Sequence, residues 1–156
     1  MAIAITLKEY MDNHDVEYDV VHHDKSHNSM ETAQRAHVSG NQLAKTVVLE
    51  DEQGFVMVVV PATHRVEMGT VQRFLQRHVI LAEEPELQRI FTDCELGALP
   101  PVGDPYGVET MIDDSLAEQA DIYFEAGDHE ALIHMSCEQF EMMMVDAERG
   151  SFSHHI

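Results

Sequence analysis

A chain of 156 residues with a 44% hydrophobic share is long enough to bury one core and short enough to be one domain, taken here as 1–156. Its two cysteines, Cys94 and Cys137, lack CxxC spacing, which argues against a disulfide framework or a cysteine-rich zinc site. Nine Lys and Arg against 29 Asp and Glu give a net charge of −20, a balance that fits solubility or a salty habitat and repels nucleic acid at long range.

The elements follow in chain order. Leu7, Tyr10, Met11 and His14 keep helical spacing, with Thr6 as the expected N-cap. Val16, Tyr18 and Val20 alternate as a strand does. Asn28-Ser29-Met30-Glu31 opens a second helix through a capping-box variant, continued by Ala33, Ala36 and His37 and ended by Gly40. Lys45 to Glu50 reads as a strand, Asp51-Glu52-Gln53-Gly54 as its turn, and Phe55 to Val60 as the returning strand. Both runs are almost continuously apolar, so both are expected to be buried on two faces, and Pro61 closes the hairpin.

Val71, Phe74, Leu75 and His78 form another helical stripe, followed by a short strand from Val79 to Ala82. Pro85 suits the first turn of a helix carrying Leu87, Ile90 and Phe91. The Gly97-Ala98-Leu99-Pro100-Pro101-Val102-Gly103 loop comes next, then a strand from Val108 to Ile112. Asp121 to Glu125 and Ala131 to Met135 read as strands joined by Gly127-Asp128-His129-Glu130. Phe140 to Val145 reads as a methionine-rich helix whose Met142 to Met144 fill core, and 146–156 reads as a loose tail. Hairpins mixed with helices predict an α+β domain around a mixed, largely antiparallel or barrel-like sheet, with helices around it.

Two features carry chemistry. Lys45 enters an apolar strand, with the Thr46 hydroxyl beside it. It reads either as a cation snorkelling to solvent or as a fixed positive charge that binds phosphate or stabilises an oxyanion. The 97–103 loop reads either as a proline-stiffened turn or as a binding edge. In the second case Gly97 allows close approach, and amides near Ala98 and Leu99 hold a ligand. His129, in its tight turn, is a turn residue or a pocket donor active near neutral pH. His22-His23 and His154-His155 lack metal-ligand spacing, so no metal is expected. The sequence has no GxSxG, Walker A loop or GxGxxG, so neither a protein nucleophile nor a cofactor is expected. No run approaches the roughly 18 apolar residues of a membrane span. Met1 to Asp15 carries acids rather than the apolar run of a leader, so a cytoplasmic setting is expected.

Met30-Glu31-Thr32-Ala33 with Ala36, Ala44-Lys45-Thr46-Val47-Val48-Leu49, Val58-Val59-Val60-Pro61, the 97–103 loop, Asp113 and Phe124-Glu125-Ala126-Gly127-Asp128-His129 together resemble the YbaK/prolyl-tRNA editing domain family. The likeness spans about residues 15–145 of the sequence. It implies a YbaK-like fold and a trans-acting deacylase that hydrolyses the ester between a wrong amino acid and the terminal adenosine of a tRNA. It also implies that a water attacks, helped by the substrate's ribose hydroxyl, with Lys45 as the catalytic lysine. Gly97, Ala98, Leu99 and Pro100 become the substrate-binding loop, His129 a pocket histidine, and Met30 and Thr32 lining of the amino-acid pocket. The implied partner is the 3′ end of an aminoacyl-tRNA. It docks on Lys45, Arg35, Arg65, Arg73 and Arg77 if these share a face, or is brought by a synthetase or elongation factor. A silent binding module for a nucleotide-like or aminoacyl ligand, or for a synthetase, is the alternative; hydrolysis of a small non-tRNA ester is a third reading.

Overall fold

The computed structural model describes residues 3–26 and 28–156. Helices are α1 (Ile5–Asn13), α2 (Ser29–Ala36), α3 (Met68–Leu75), α4 (Glu84–Ile90) and α5 (Cys137–Met143). Strands are β1 (Asp19–His22), β2 (Leu43–Asp51), β3 (Gly54–Pro61), β4 (His64–Val66), β5 (Ile80–Leu81), β6 (Glu109–Asp113), β7 (Asp121–Glu125), β8 (Ala131–Ser136), β9 (Glu148–Gly150) and β10 (Ser153–His155). The main sheet runs β1-β8-β7-β2-β3-β6-β9, with β5 also on β2; β4 and β10 form a separate two-stranded ribbon. The fold is thus the expected α+β class with a mixed sheet. None of the described helices is long and apolar enough to cross a membrane.

The sheet is covered on both sides, which accounts for the continuous apolar runs of its central hairpin. Along β3, Met57 and Val59 join one core, with Leu7, Met11, Ile112, Phe124 and Phe140. Val56, Val58 and Val60 join another, with Val71, Met111 and Phe152. Successive side chains point to opposite faces, so a strand sandwiched between two layers has no polar side.

The edge of β2 positions the site. β7 runs parallel to it only at Leu43↔Tyr123 and Ala44↔Phe124. β5 pairs antiparallel with the same strand further on, at Leu49↔Leu81 and Glu50↔Ile80. Between these two neighbours the sheet splits beside Lys45, Thr46 and Val47. Next to the gap, β7 brings Glu125 one residue beyond its last register partner.

Several expectations are corrected. Ala4, not Thr6, is the N-cap of α1, and the Thr6 amide donates instead to Asp93 Oδ2 at 2.9 Å. The first strand starts at Asp19 rather than Val16. Asn28 does cap α2, accepting from the Glu31 amide at 2.8 Å, but the helix ends at His37 in a left-handed conformation rather than at Gly40. The last helix starts earlier, at Cys137, where the Ser136 hydroxyl accepts from the Gln139 amide. The tail is not loose. β9 extends the main sheet beside β6, and β10 pairs with β4. Phe152 between them is 1% exposed. Burying such a ring stabilises the docked tail by about 2–3 kcal/mol. Asp113 adds a 2.6 Å hydrogen bond from the Phe152 amide.

Candidate active site

A cavity of about 190 Å³ opens at the split in the sheet. Its lining includes Lys45, Thr46, Gly97, Leu99, Ser29 and Glu125. The gap sits at a strand edge, so Lys45 and Thr46 both reach it although consecutive residues point to opposite faces. The Lys45 ammonium is half-buried and donates to the His64 carbonyl at 2.7 Å. Burial, and then the nearby Arg65, lower its pKa below that of an ordinary lysine. The Thr46 hydroxyl is buried and unpartnered. A buried hydroxyl without a partner carries a desolvation cost that a ligand can remove.

The 97–103 loop forms the opposite wall. Gly97 has φ of 83°, a left-handed value suited to glycine. The Ala98 amide donates to the Glu95 carbonyl at 3.1 Å, so it is not open to a ligand. Among the described residues, the amides of Gly97 and Leu99 donate to no other protein group. Ala98 and Pro100 are buried beneath the loop and form its foundation rather than its face. His129 stands behind the wall. Its Nε2–H donates to the Leu96 carbonyl at 2.5 Å, and its backbone is left-handed, with φ of 62°. The Glu95 amide donates to the Gly127 carbonyl at 2.8 Å, so the 127–129 turn clamps the start of the loop at two points.

Glu125 is the residue that sequence reasoning passed over as a site group. It is 4% exposed, and its pKa is pushed up to about 7, chiefly by burial and further by the charge of Asp128. The Thr32 hydroxyl, itself fully buried, donates to Glu125 Oε2 at 3.1 Å and is hydrogen-bonded to the Ser26 hydroxyl. Glu125 Oε1 has no partner. Thr32 therefore lies under the cavity and orients its carboxyl. Met30 lies outside this lining, 48% exposed on α2. Nothing local marks Glu125 in the sequence. The only signal is a lone acid ending a strand whose inward residues, Ile122 and Phe124, are apolar.

The expected cation cluster divides. Arg77 is engaged by Asp51 and Glu109, and Arg35 by Glu31. Arg65 and Arg73 have no carboxylate partner among the described residues. A roomier cleft of about 680 Å³ lies at the β2–β3 turn, but Glu50, Asp51 and Glu52 line it and Asp51 occupies its arginine, so an anion is repelled there. No group of three or more His, Cys, Asp or Glu able to hold a metal occurs among the described residues.

Comparison with known proteins supplies the family. A model of the aminoacyl-tRNA editing domain matches residues 23–142. The crystal structure of a hypothetical protein, APE2540, is similar at a TM-score of 0.84 and 21% identity, over 96% of this chain and 99% of that one. A protein described as a candidate trans-editing enzyme for prolyl tRNA synthetase aligns at 0.82 and 19% identity, over 97% of this chain and 96% of its own. A scaffold from epitope-grafting design aligns at 0.84 and 16% identity, covering 98% and 97%. At these identities the likeness concerns the fold. No curated protein matches the chain. The match over most of the sequence, on a fold of the same kind, places this chain in the aminoacyl-tRNA editing domain family.

Proposed function

We propose that the chain is a trans-acting deacylase that hydrolyses the ester of a mischarged aminoacyl-tRNA. The observation that carries the reading is one cavity lined by Lys45, Thr46, Gly97, Leu99 and the buried Glu125. Each has a counterpart on the substrate. Attack of water on the ester carbonyl builds negative charge on its oxygen, and a preorganised ammonium with backbone amides stabilises that charge more than the ground state. Lys45 and the free amides of Gly97 and Leu99 take this role. The α-ammonium of the aminoacyl group finds a carboxyl in Glu125, and its arrival favours the ionised form. Thr46 donates to the ester oxygen or pairs with a ribose hydroxyl.

An aminoacyl ester is an activated bond, so positioning water against it suffices without a covalent intermediate. The small volume favours a small aminoacyl group over an aromatic one. The tRNA arrives through its 3′ end, alone or passed on by a synthetase or elongation factor, in a cytoplasmic setting.

The test is single-turnover deacylation of a panel of correctly and wrongly charged tRNAs. The expected result is hydrolysis of at least one species with a small aminoacyl group and sparing of aromatic ones. Hydrolysis of none by folded protein would overturn the reading in favour of a silent binding module.

A further inference from the structure

The cations of this acidic chain are distributed unevenly in space. Lys8, Lys25, Arg35, Arg77, Arg89 and Arg149 each lie within 4 Å of a carboxylate. Among the described residues this leaves Lys45, Arg65 and Arg73, and these belong to one continuous strip. Lys45 donates to the backbone of His64 on β4, and Arg65 follows His64. The docked tail lays His155 opposite His64 and His154 opposite Arg65. The His64 and His155 rings meet edge to face at 5.5 Å, and His64 Nδ1 is hydrogen-bonded to the Ser153 hydroxyl at 2.9 Å. His154 lies 3.2 Å from Glu67 Oε1. Thr70 donates to the other Glu67 oxygen at 3.4 Å, and Arg73 donates to Thr70 at 3.2 Å. Arg65, Arg73, His154 and His155 are all exposed.

We infer that this strip, running from Lys45 over the β4–β10 ribbon to Arg73 on α3, is the surface on which the acceptor arm of a tRNA lays its phosphates. The inference rests on the deacylase reading for its choice of RNA. The geometry supplies the rest: the strip begins at Lys45 in the cavity lining and leads away from it over the β4–β10 ribbon. A −20 chain repels RNA elsewhere, so a local run of unneutralised cations fixes the approach direction.

The test uses the full chain and a fluorescent, non-aminoacylated acceptor-stem minihelix ending in CCA, with affinity measured by anisotropy against salt. Wild type is expected to bind with a steep salt dependence. Arg73→Glu and Arg65→Ala are each expected to weaken binding about tenfold and to lower the log–log salt slope by about one. These positions are exposed, so thermal melts should show intact folds. Wild-type affinity and slope in Arg73→Glu and Arg65→Ala would overturn the inference. Failure of the deacylase reading looks different: the minihelix binds as described, but no charged tRNA is hydrolysed.

Discussion

Glu125 is the residue on which the chemistry and the stability of the fold meet. Its carboxyl has an ordinary pKa of 4.5 and is pushed up to about 7 by burial. It therefore binds a proton more tightly folded than unfolded. Its stabilising contribution is complete below 4.5 and declines as pH rises toward and past 7, by about 3 kcal/mol in all. Glu125→Gln removes this loss. In urea unfolding at a series of pH values, the variant should gain stability relative to wild type with rising pH, by up to about 3 kcal/mol between pH 4.5 and pH 8. A constant difference across that range would show that the carboxyl is not held neutral by its site. The sequence hides this residue because its neighbours are non-local. Thr32 lies 93 positions away and Lys45 sits on a strand that meets β7 in parallel over two residues only. Lys45, Thr46 and Gly97 are legible because their signals are local: a cation entering an apolar run, and a glycine ahead of two prolines.

Among the elements, the 97–103 loop is the one whose shape the site depends on. Its far end is fixed at Gly103, whose amide donates to Thr110 Oγ1 at 3.1 Å. A Cβ there would clash with the Val108 carbonyl and sit 2.5 Å from Thr110 Oγ1. Backbone on one side and a strand residue on the other leave no room to give, so Gly103→Ala should cost about 2–3 kcal/mol, the scale of overpacking in a dense interior. A lowered melting temperature would register this, together with weaker single-turnover activity because the loop and its open amides shift. An unchanged melting temperature would mean that the loop is looser than its contacts imply. The central hairpin was readable from its turn and its apolar runs. The docked tail was not, since a short polar stretch around one phenylalanine carries no periodicity. Its order comes from Phe152 entering a core already built by β3, β6 and α3. The bond Asp113 accepts from its amide joins the tail to β6 across 39 positions of sequence.

The whole molecule is dominated by its charge. A net −20 on 156 residues repels itself, and added salt screens that repulsion. The melting temperature should therefore rise as NaCl increases from about 20 mM to about 500 mM, while RNA affinity falls over the same range. A melting temperature that falls with salt would mean that ion pairs such as Arg77 with Asp51 and Glu109 outweigh the repulsion. The sequence announced the imbalance in charge but not where its exceptions gather. That depends on β10 folding back beside β4. In the proposed function the cavity at the split in the sheet acts on an ester through Lys45. The most direct measurement is the single-turnover rate of wild type and Lys45→Ala on the charged tRNA that wild type hydrolyses fastest. A loss of about a hundredfold or more in a folded variant is predicted, the usual scale for removing one transition-state contact. A rate within a few-fold of wild type would contradict the assignment of this cavity as the site of hydrolysis.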